Sequence, residues 1–368
     1  MVLKKILYIV RDGKISGSQQ VVLNICNFLK SDNNFKADLI VGGEKIDNDF
    51  FREFSSVVEN IYHVPSLKRS IGKHDFKALI SIMRIINQTK PDLIHTHSTK
   101  PGIIGRLAGY FSGYKTIHTV HGISYHKAQS VIKRLVYYLI EIIPTLIGTK
   151  LTLVNKYYGK YYRFLPRKKL SVIYNGVDTE DKSYKRKCEP DGQIKLGFVG
   201  RLEHQKNPLF LVDIANELRK NGIDFHLEIY GEGNLQAALE EKLKESNLSD
   251  LVRLNGWETD KDIIFTSFDI LLAPSNFEAF GLIFVEAASY GVPSIASSVE
   301  GIPEVISNGI NGELVSTFSS KAYVDGILKI FNGYSTYQKS LFIMLSRFSL
   351  NKMNTKYIRL YEEVLNER

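Results

Sequence analysis

Residues 180–208 read EDKSYKRKCEPDGQIKLGFVGRLEHQKNP, and this stretch decides the fold. Its first part, 180–193, is charged, nearly free of apolar side chains, and carries Pro190 and Gly192, which is the composition of a linker. The aliphatic run 194–199 then reads as a buried strand. Gly200 permits a tight exit from it, and Pro208 suits the first turn of a following helix. A strand–loop–helix series therefore begins afresh in mid-chain. Upstream, candidate strands fall at 3–10, 37–42, 92–96, 115–121, 150–155 and 170–174; downstream they fall at 194–199, 224–230, 251–255, 269–273 and 292–296. Amphipathic helical patterns such as 19–30, 75–88, 209–221 and 235–246 lie between them. Strands alternating with helices predict parallel sheets covered on both faces. The restart predicts two of them: an α/β chain of two Rossmann-like, doubly wound domains facing a central cleft. Their expected bounds are 1–179 with 350–368, a linker at 180–193, and 194–349. A length of 368 residues suits two domains.

Composition narrows the function classes. With 44% hydrophobic and 24% charged residues the chain is ordinary for a globular protein. The net charge of +9 is unevenly spread. Residues 1–190 hold 31 Lys and Arg against 15 Asp and Glu, whereas 191–368 hold 17 against 24. Within 93–177, 13 basic residues face one acid, Glu141. Such a surface is either a solvated basic face or a seat for an anionic membrane, an anionic acceptor or nucleic acid. No RNA-binding aromatic motif, zinc-finger spacing or helix-turn-helix pattern is present, so no nucleic-acid partner is expected. Tyr137, Tyr138, Tyr157, Tyr158, Tyr161 and Tyr162 are interleaved with this Lys and Arg. They read as an amphipathic membrane-contact surface or as core at helical spacing. The longest apolar stretch, 135–148, is broken by Glu141 and Pro144 and falls short of the ~20 residues that span a bilayer. The run 6–10 reads as an opening strand rather than a signal peptide. Cys26 and Cys188 have no CxxC partner; Cys26, in an apolar helical pattern, reads as a buried free thiol, which fits a reducing compartment.

Two constellations carry chemistry. In residues 274–293, PSNFEAFGLIFVEAASYGVP, a strand ends in a polar loop and a helix starts near Gly281. Glycine there lets a ligand approach the backbone, and the free N–H groups of the first helical turn favour a diphosphate. Glu278 lies in the loop and Glu286 in the second turn, so the two carboxylates address different parts of one ligand. After the strand 194–199, Gly200 is followed by Arg201 and Lys206 on one loop. The forked guanidinium and the mobile ammonium together neutralise a pyrophosphate. A preorganised site of this kind can do without a divalent ion, and no Asp-x-Asp cluster accompanies it. In the first half, His121 and Gly122 end a strand. His95, His97 and His118 are near in sequence, but no carboxylate or Cys joins them at ligand spacing, so no metal is expected.

The loop 198–208, the Glu278-x7-Glu286 pair and Asn175-Gly176-Val177-Asp178 resemble the signature of the family 4 retaining glycosyltransferases of GT-B fold. The resemblance implies catalytic roles for His121, Arg201, Lys206 and Glu278. Arg201 and Lys206 would bind the donor diphosphate and Glu286 the ribose hydroxyls. Glu278 and the backbone of Phe280, Gly281 and Leu282 would contact donor sugar and phosphate. Gly231-Glu232-Gly233 and Asn255-Gly256-Trp257 would flank the nucleobase, and His121 would touch an outer hydroxyl of the donor sugar. Residues 97–102 resemble a loop of polysaccharide-building members, which places Ser98 and Lys100 on the acceptor side. The tail, with Met353, Tyr357, Leu360, Tyr361 and Val364 on one helical face, would cross back to the first domain. The family's Gly-Gly and Glu near the first loop are replaced by Ser16-Gly17-Ser18-Gln19-Gln20, where Gly17 still lets the backbone approach the donor.

The expected activity is a retaining, metal-independent hexosyltransferase. It would move a hexose or N-acetylhexosamine from a nucleotide diphosphate sugar, with UDP as the commonest choice, to a saccharide acceptor. Lipid linkage of that acceptor, assembly of a cell-surface polysaccharide, and a cytoplasmic location on the inner face of the plasma membrane complete the expectation. Two rivals share the architecture: a non-hydrolysing nucleotide-sugar epimerase and a non-catalytic nucleotide-sugar-binding subunit.

Overall fold

The structure is a computed structural model that describes residues 3–32, 34–123, 130–179, 190 and 192–367, with only the backbone of Lys133. The expected linker and Cys188 lie almost wholly outside these residues. The chain divides into two compact units, Met1–Gly176 with Asn351–Arg368, and Val177–Leu350.

The first unit contains β1 (Lys4–Val10), α1 (Gly17–Ser31), β2 (Phe35–Gly42), α2 (Asn48–Ser55), β3 (Asn60–Val64) and α3 (His74–Thr89). It continues through β4 (Leu93–His97), α4 (Thr99–Ser112), β5 (Thr116–Val120), α5 (Val131–Ile147), β6 (Lys150–Leu153) and β7 (Leu170–Val172). Its seven strands are parallel in the order β3-β2-β1-β4-β5-β6-β7. The second unit contains β8 (Ile194–Val199), α6 (Phe210–Lys220), β9 (Phe225–Tyr230), α7 (Gln236–Glu245), β10 (Val252–Gly256), α8 (Lys261–Thr266) and β11 (Ile270–Ala273). After these come α9 (Leu282–Ser289), β12 (Ser294–Ser297), α10 (Ile302–Val305), β13 (Gly312–Val315), α11 (Ser320–Asn332) and α12 (Tyr334–Arg347). Its six parallel strands run β10-β9-β8-β11-β12-β13. Each sheet winds outward in both directions from a switch point, β1/β4 in the first unit and β8/β11 in the second. Ligands gather outside the carboxyl ends of the strands at such points.

Two strands were absent from the sequence reading, β3 and β13, and both lie at sheet edges. An edge strand needs only one neighbour and one well-covered side, so the polar Asn60 and His63, or the short Gly312–Val315, suffice. Central strands such as Ile6–Val10 are buried on both faces and read as continuous aliphatic runs.

Helix α13 (Leu350–Asn366) returns to the first unit. Met353, Tyr357, Leu360, Tyr361 and Val364 are all buried, as their spacing required. Tyr361 OH shares a 2.9 Å hydrogen bond with Tyr8 OH of β1, and Lys150 of β6 donates to Glu363 at 2.6 Å. On the sheet's other side α4 lies close to β4 and β5 because its inner positions are glycines. A Cβ on Gly102 would stand 2.2 Å from the His118 ring, and one on Gly105 2.6 Å from Thr96. Cys26 is a buried free thiol, and burial pushes its pKa up. Tyr158 and Tyr162 are core residues rather than surface, and Lys160 lies 3.4 Å over the half-buried Tyr157 ring. Tyr137, Tyr138, Tyr157 and Tyr161 are half-buried, so the cluster is divided between core and surface.

Candidate active site

In the second unit the loops after β8 and β11 are stitched together. Asn276 N–H donates to Gln205 O at 2.9 Å, Asn276 Nδ2 to His204 O at 2.7 Å, and Gln205 Nε2 to Phe277 O at 3.3 Å. This fixes Lys206 opposite Glu278, and the two form a largely buried ion pair. Arg201, four residues from Gln205, is exposed and holds Glu203 at 2.9 Å. Arg201, Lys206 and Glu278 thus stand together at the β8/β11 switch point, with both cations on carboxylate partners.

Gly281 caps α9 with φ 78°, a conformation that side chains rarely adopt, and a Cβ there would meet the Phe284 ring at 2.4 Å. Leu282 follows as the first helical residue, so its N–H has no partner within the helix. Phe280 is buried edge-on against Phe348 at 5.2 Å, which leaves its backbone rather than its ring to meet a ligand. Glu286, one turn further along α9, pairs with Lys261 at 2.7 Å. Lys261 carried no signal in the sequence reading, because it comes from α8.

Gly231, at the exit of β9, has φ 133°, and its backbone runs so close to β8's exit that a Cβ would lie 2.0 Å from Gly200 O. Gly231 N–H donates to Gly256 O at 2.7 Å. The backbone at the ends of β8, β9 and β10 is therefore held close together at three glycines, with the exposed Trp257 next to Gly256 in sequence. An exposed indole suits stacking on a planar base.

In the first unit the loops after β1 and β4 meet. Gln19 ties the first loop: its Nε2 donates to Asp12 Oδ1 at 2.6 Å while Ser18 and Ser16 hydroxyls donate to its Oε1. Gly17 is exposed at the start of α1, and Ser98 reaches Ser18 with a 3.4 Å contact between hydroxyls. Lys100 is different. Its ammonium is buried, donating to Asp75 Oδ2 at 2.6 Å and Ser70 O at 2.8 Å. In this arrangement it anchors α4 to α3, with its charge held on Asp75. Asp75 lies 25 positions away on another helix, so the sequence carried no sign of the pair.

His121 directly follows β5, and its Nε2 lies 2.8 Å from Nδ1 of His97, the last residue of β4, with the rings stacked at 5.1 Å. Behind them His95 bridges Tyr361 OH and Thr119 Oγ1, each at 2.8 Å. His118 points to the opposite, α4-facing side and bonds Thr96. The histidines are thus split between two faces, and among the described residues no three His, Cys, Asp or Glu are grouped to hold a metal. One Asp-x-Asp triplet does occur, Asp47-Asn48-Asp49, but it starts α2, with Asp49 paired to Arg52 at 3.0 Å.

Burial lowers the pKa of His95 to about 3 and of His121 to about 4, and holds His97 and His118 well below the usual imidazole range. All four are neutral at neutral pH, so in the His97–His121 bond one neutral ring donates. Nε2 of His97 is buried without a partner among the described residues. An orphaned buried N–H costs more than an orphaned lone pair. His97 therefore carries its proton on Nδ1 and donates to His121, whose own proton sits on Nδ1. The half-buried His121 presents an N–H donor.

Two all-parallel Rossmann-like units, each with its polar residues at the strand exits of a switch point, have the GT-B architecture of glycosyltransferases. Residues 15–181 match the family described as Glycosyltransferase Family 4, and residues 180–341 match Glycosyl transferases group 1. The chain is 30% identical over 286 residues to the UDP-Gal:alpha-D-GlcNAc-diphosphoundecaprenol alpha-1,3-galactosyltransferase of Escherichia coli, covering 73% of this chain and 74% of that one. It is 24% identical to the O-antigen biosynthesis glycosyltransferase WclY of Escherichia coli over 99% of both chains. The crystal structure of Anabaena Alr3699/HepE in complex with UDP and glucose superposes with a TM-score of 0.81 at 17% identity, over 98% of this chain and 100% of that one. The chain belongs to the group 1, family 4 glycosyltransferases, and it is a glycosyltransferase.

Proposed function

We propose that the protein is a retaining, metal-independent hexosyltransferase that moves a hexose or N-acetylhexosamine from a UDP-sugar to a lipid-linked saccharide during cell-surface polysaccharide assembly, at the inner face of the plasma membrane. The observation that carries the reading is Lys206 meeting Glu278 at the β8/β11 switch point, beside the Gly281 cap of α9. The E. coli relative that acts with UDP-Gal on a diphosphoundecaprenol-linked sugar supports the choice of donor and acceptor.

Cleaving the sugar–phosphate bond develops positive charge at the anomeric carbon and negative charge on the departing diphosphate. Arg201, Lys206 and the first N–H groups of α9 oppose the second charge. Each such fixed donor contributes roughly 3–4 kcal/mol to the transition state. Before the donor arrives Lys206 rests on Glu278 and Arg201 on Glu203. The diphosphate takes over the cations, and Glu278 is released toward the sugar. Glu286 holds the ribose, Gly200, Gly231, Gly256 and Trp257 seat the base, and His121 donates from Nδ1 to a sugar hydroxyl. Gly17 lets the backbone approach the donor, and Ser98 lies on the acceptor side. The acceptor hydroxyl attacks from the leaving-group face and passes its proton to the diphosphate. Glu278 and Glu286 both serve the donor, unlike the paired carboxylates of glycoside hydrolysis.

The test is turnover across a panel of nucleotide sugars with a polyprenyl-diphosphate-linked acceptor, with and without excess EDTA, followed by NMR of the product anomer. Turnover that needs acceptor, survives EDTA and keeps the donor's anomeric configuration is expected. An inverted anomer or loss of activity in EDTA overturns the proposal. So does a new nucleotide sugar formed without acceptor, or donor binding without turnover.

A further inference from the structure

Helix α5 is built inside out. Its buried side carries Glu141 and Thr145, with Glu141 accepting from Tyr162 OH at 3.3 Å and Thr145 accepting from Arg106 at 2.8 Å. Its exposed side carries seven aliphatic residues between Val131 and Leu146, each 46–77% exposed, among them Ile132, Leu135, Leu139 and Ile143. At 100° per residue these seven fall within an arc of about 140°, along roughly 22 Å of helix. Contiguous apolar surface on this scale marks an interaction site rather than scattered exposure. Among the described residues no helix is long and apolar enough to cross a membrane, so the stripe belongs to a helix that lies on a surface.

The surroundings of the stripe state its partner. Between residues 131 and 169 there are nine Lys and Arg and one acid, Glu141, which is buried. Lys169 donates to Leu146 O at 2.8 Å and Gly148 O at 3.0 Å, which sets the basic turn Arg167–Lys169 at the helix's C-terminal end. Exposed Phe164 packs edge-on against Tyr138 of α5 at 6.2 Å, carrying Arg163 alongside the helix. Arg163, Arg167 and Lys168 are all exposed. A second copy of this chain would bring like charges face to face in a two-fold contact, whereas an anionic lipid surface satisfies both the apolar stripe and its cationic border.

We infer that α5, with Arg163, Phe164, Arg167 and Lys168 beside it, is the docking face by which this protein lies on an anionic phospholipid bilayer, its aliphatic stripe in the headgroup–acyl boundary. The inference goes beyond the transfer reaction and stands or falls without it. It also moves the contact from the tyrosines to a helix whose apolar residues face outward.

The experiment is co-sedimentation of the full chain with phosphatidylcholine vesicles with and without phosphatidylglycerol, at low and high salt. The variants are Leu135→Ser/Leu139→Ser/Ile143→Ser and Arg167→Gln/Lys168→Gln. The wild type is expected to sediment only with the anionic vesicles, and less at high salt. The aliphatic variant should lose at least tenfold in affinity, and the charge variant about fivefold per cation removed. Both variants should retain wild-type UDP affinity and thermal midpoint, which reports an intact fold separately from the donor site. The inference is overturned if the wild type stays in the supernatant or if the aliphatic variant sediments like wild type. It is also overturned if sedimentation velocity shows a dimer that this variant dissolves, since the stripe would then belong to a second copy.

Discussion

Acidification from pH 7 to pH 5 is expected to destabilise the first unit selectively, through His95, His97 and His118. All three are fully buried, at the joint of β4 and β5. Their folded pKa values lie below the unfolded value of 6.5, with His95 at about 3. Between the folded and unfolded values the unfolded chain binds more protons than the folded one. Their contribution to stability is therefore complete above pH 6.5 and falls as pH drops toward the folded values. For His95 the cost is about 1.4 kcal/mol per pH unit in that window, so about 2 kcal/mol at pH 5, and His97, His118 and His121 act in the same direction. The His95 contribution alone is a sizeable share of the net stability of a domain, about 5–15 kcal/mol. The second unit has no histidine in its core, since His204 is exposed and His226 half-buried. Urea unfolding followed by far-UV circular dichroism at the two pH values measures the loss, and hydrogen exchange assigns it to peptides of β4, β5 and α13. A His95→Gln variant, which can still bridge Tyr361 and Thr119, should remove about 2 kcal/mol of the loss between pH 7 and pH 5. A fall of less than about 1 kcal/mol between pH 7 and 5, or a loss confined to peptides of the second unit, refutes the reasoning.

Three further outcomes are expected. Lys206→Met should lower kcat/KM by about two to three orders of magnitude. It should also cost about 1–2 kcal/mol of stability by leaving Glu278 without its cation, read by steady-state kinetics and thermal melts. Gly231→Ala places a methyl 2.0 Å from Gly200 O at φ 133°; it should destabilise the second unit by about 3 kcal/mol. The control Gly222→Ala, with φ 67° and open space around it, should cost only about 1 kcal/mol. His97→Leu should let the His121 proton move to Nε2, visible as a changed nitrogen shift pattern in NMR. It should reduce kcat about tenfold with little change in UDP affinity, whereas an unchanged tautomer would show that His97 positions nothing.

Much of the fold was legible because the central strands are buried on both faces, so Ile6–Val10 and Ile194–Val199 announce themselves by composition alone. The cluster at the β8/β11 switch point was legible for a related reason. Gly200, Arg201, Lys206, Glu278 and Gly281 occupy strand exits and a helix cap, where local sequence dictates local backbone. What stayed hidden depended on partners distant in sequence. Lys100 resembles a free loop cation until Asp75 is placed against it, and His97 resembles one histidine among several until β5 brings His121 to its Nδ1. Helix α5 misleads outright. Its periodicity identifies two faces, and ordinary burial would turn the aliphatic one inward; only the pocket formed by Arg106 and Tyr162 shows that the polar face is the inner one.

The return of α13 makes the first unit discontinuous in sequence, with the whole second unit inserted before its last helix. During synthesis the strand β1 waits for Tyr361, and the Thr119–His95 pair for Tyr357 and Tyr361, until some 350 residues have emerged. The unit translated first is consequently the one completed last. Maturation of its histidine-lined face is tied to arrival of the final helix, and a ribosome that stalls in the second unit leaves a bare apolar sheet face for chaperones to cover.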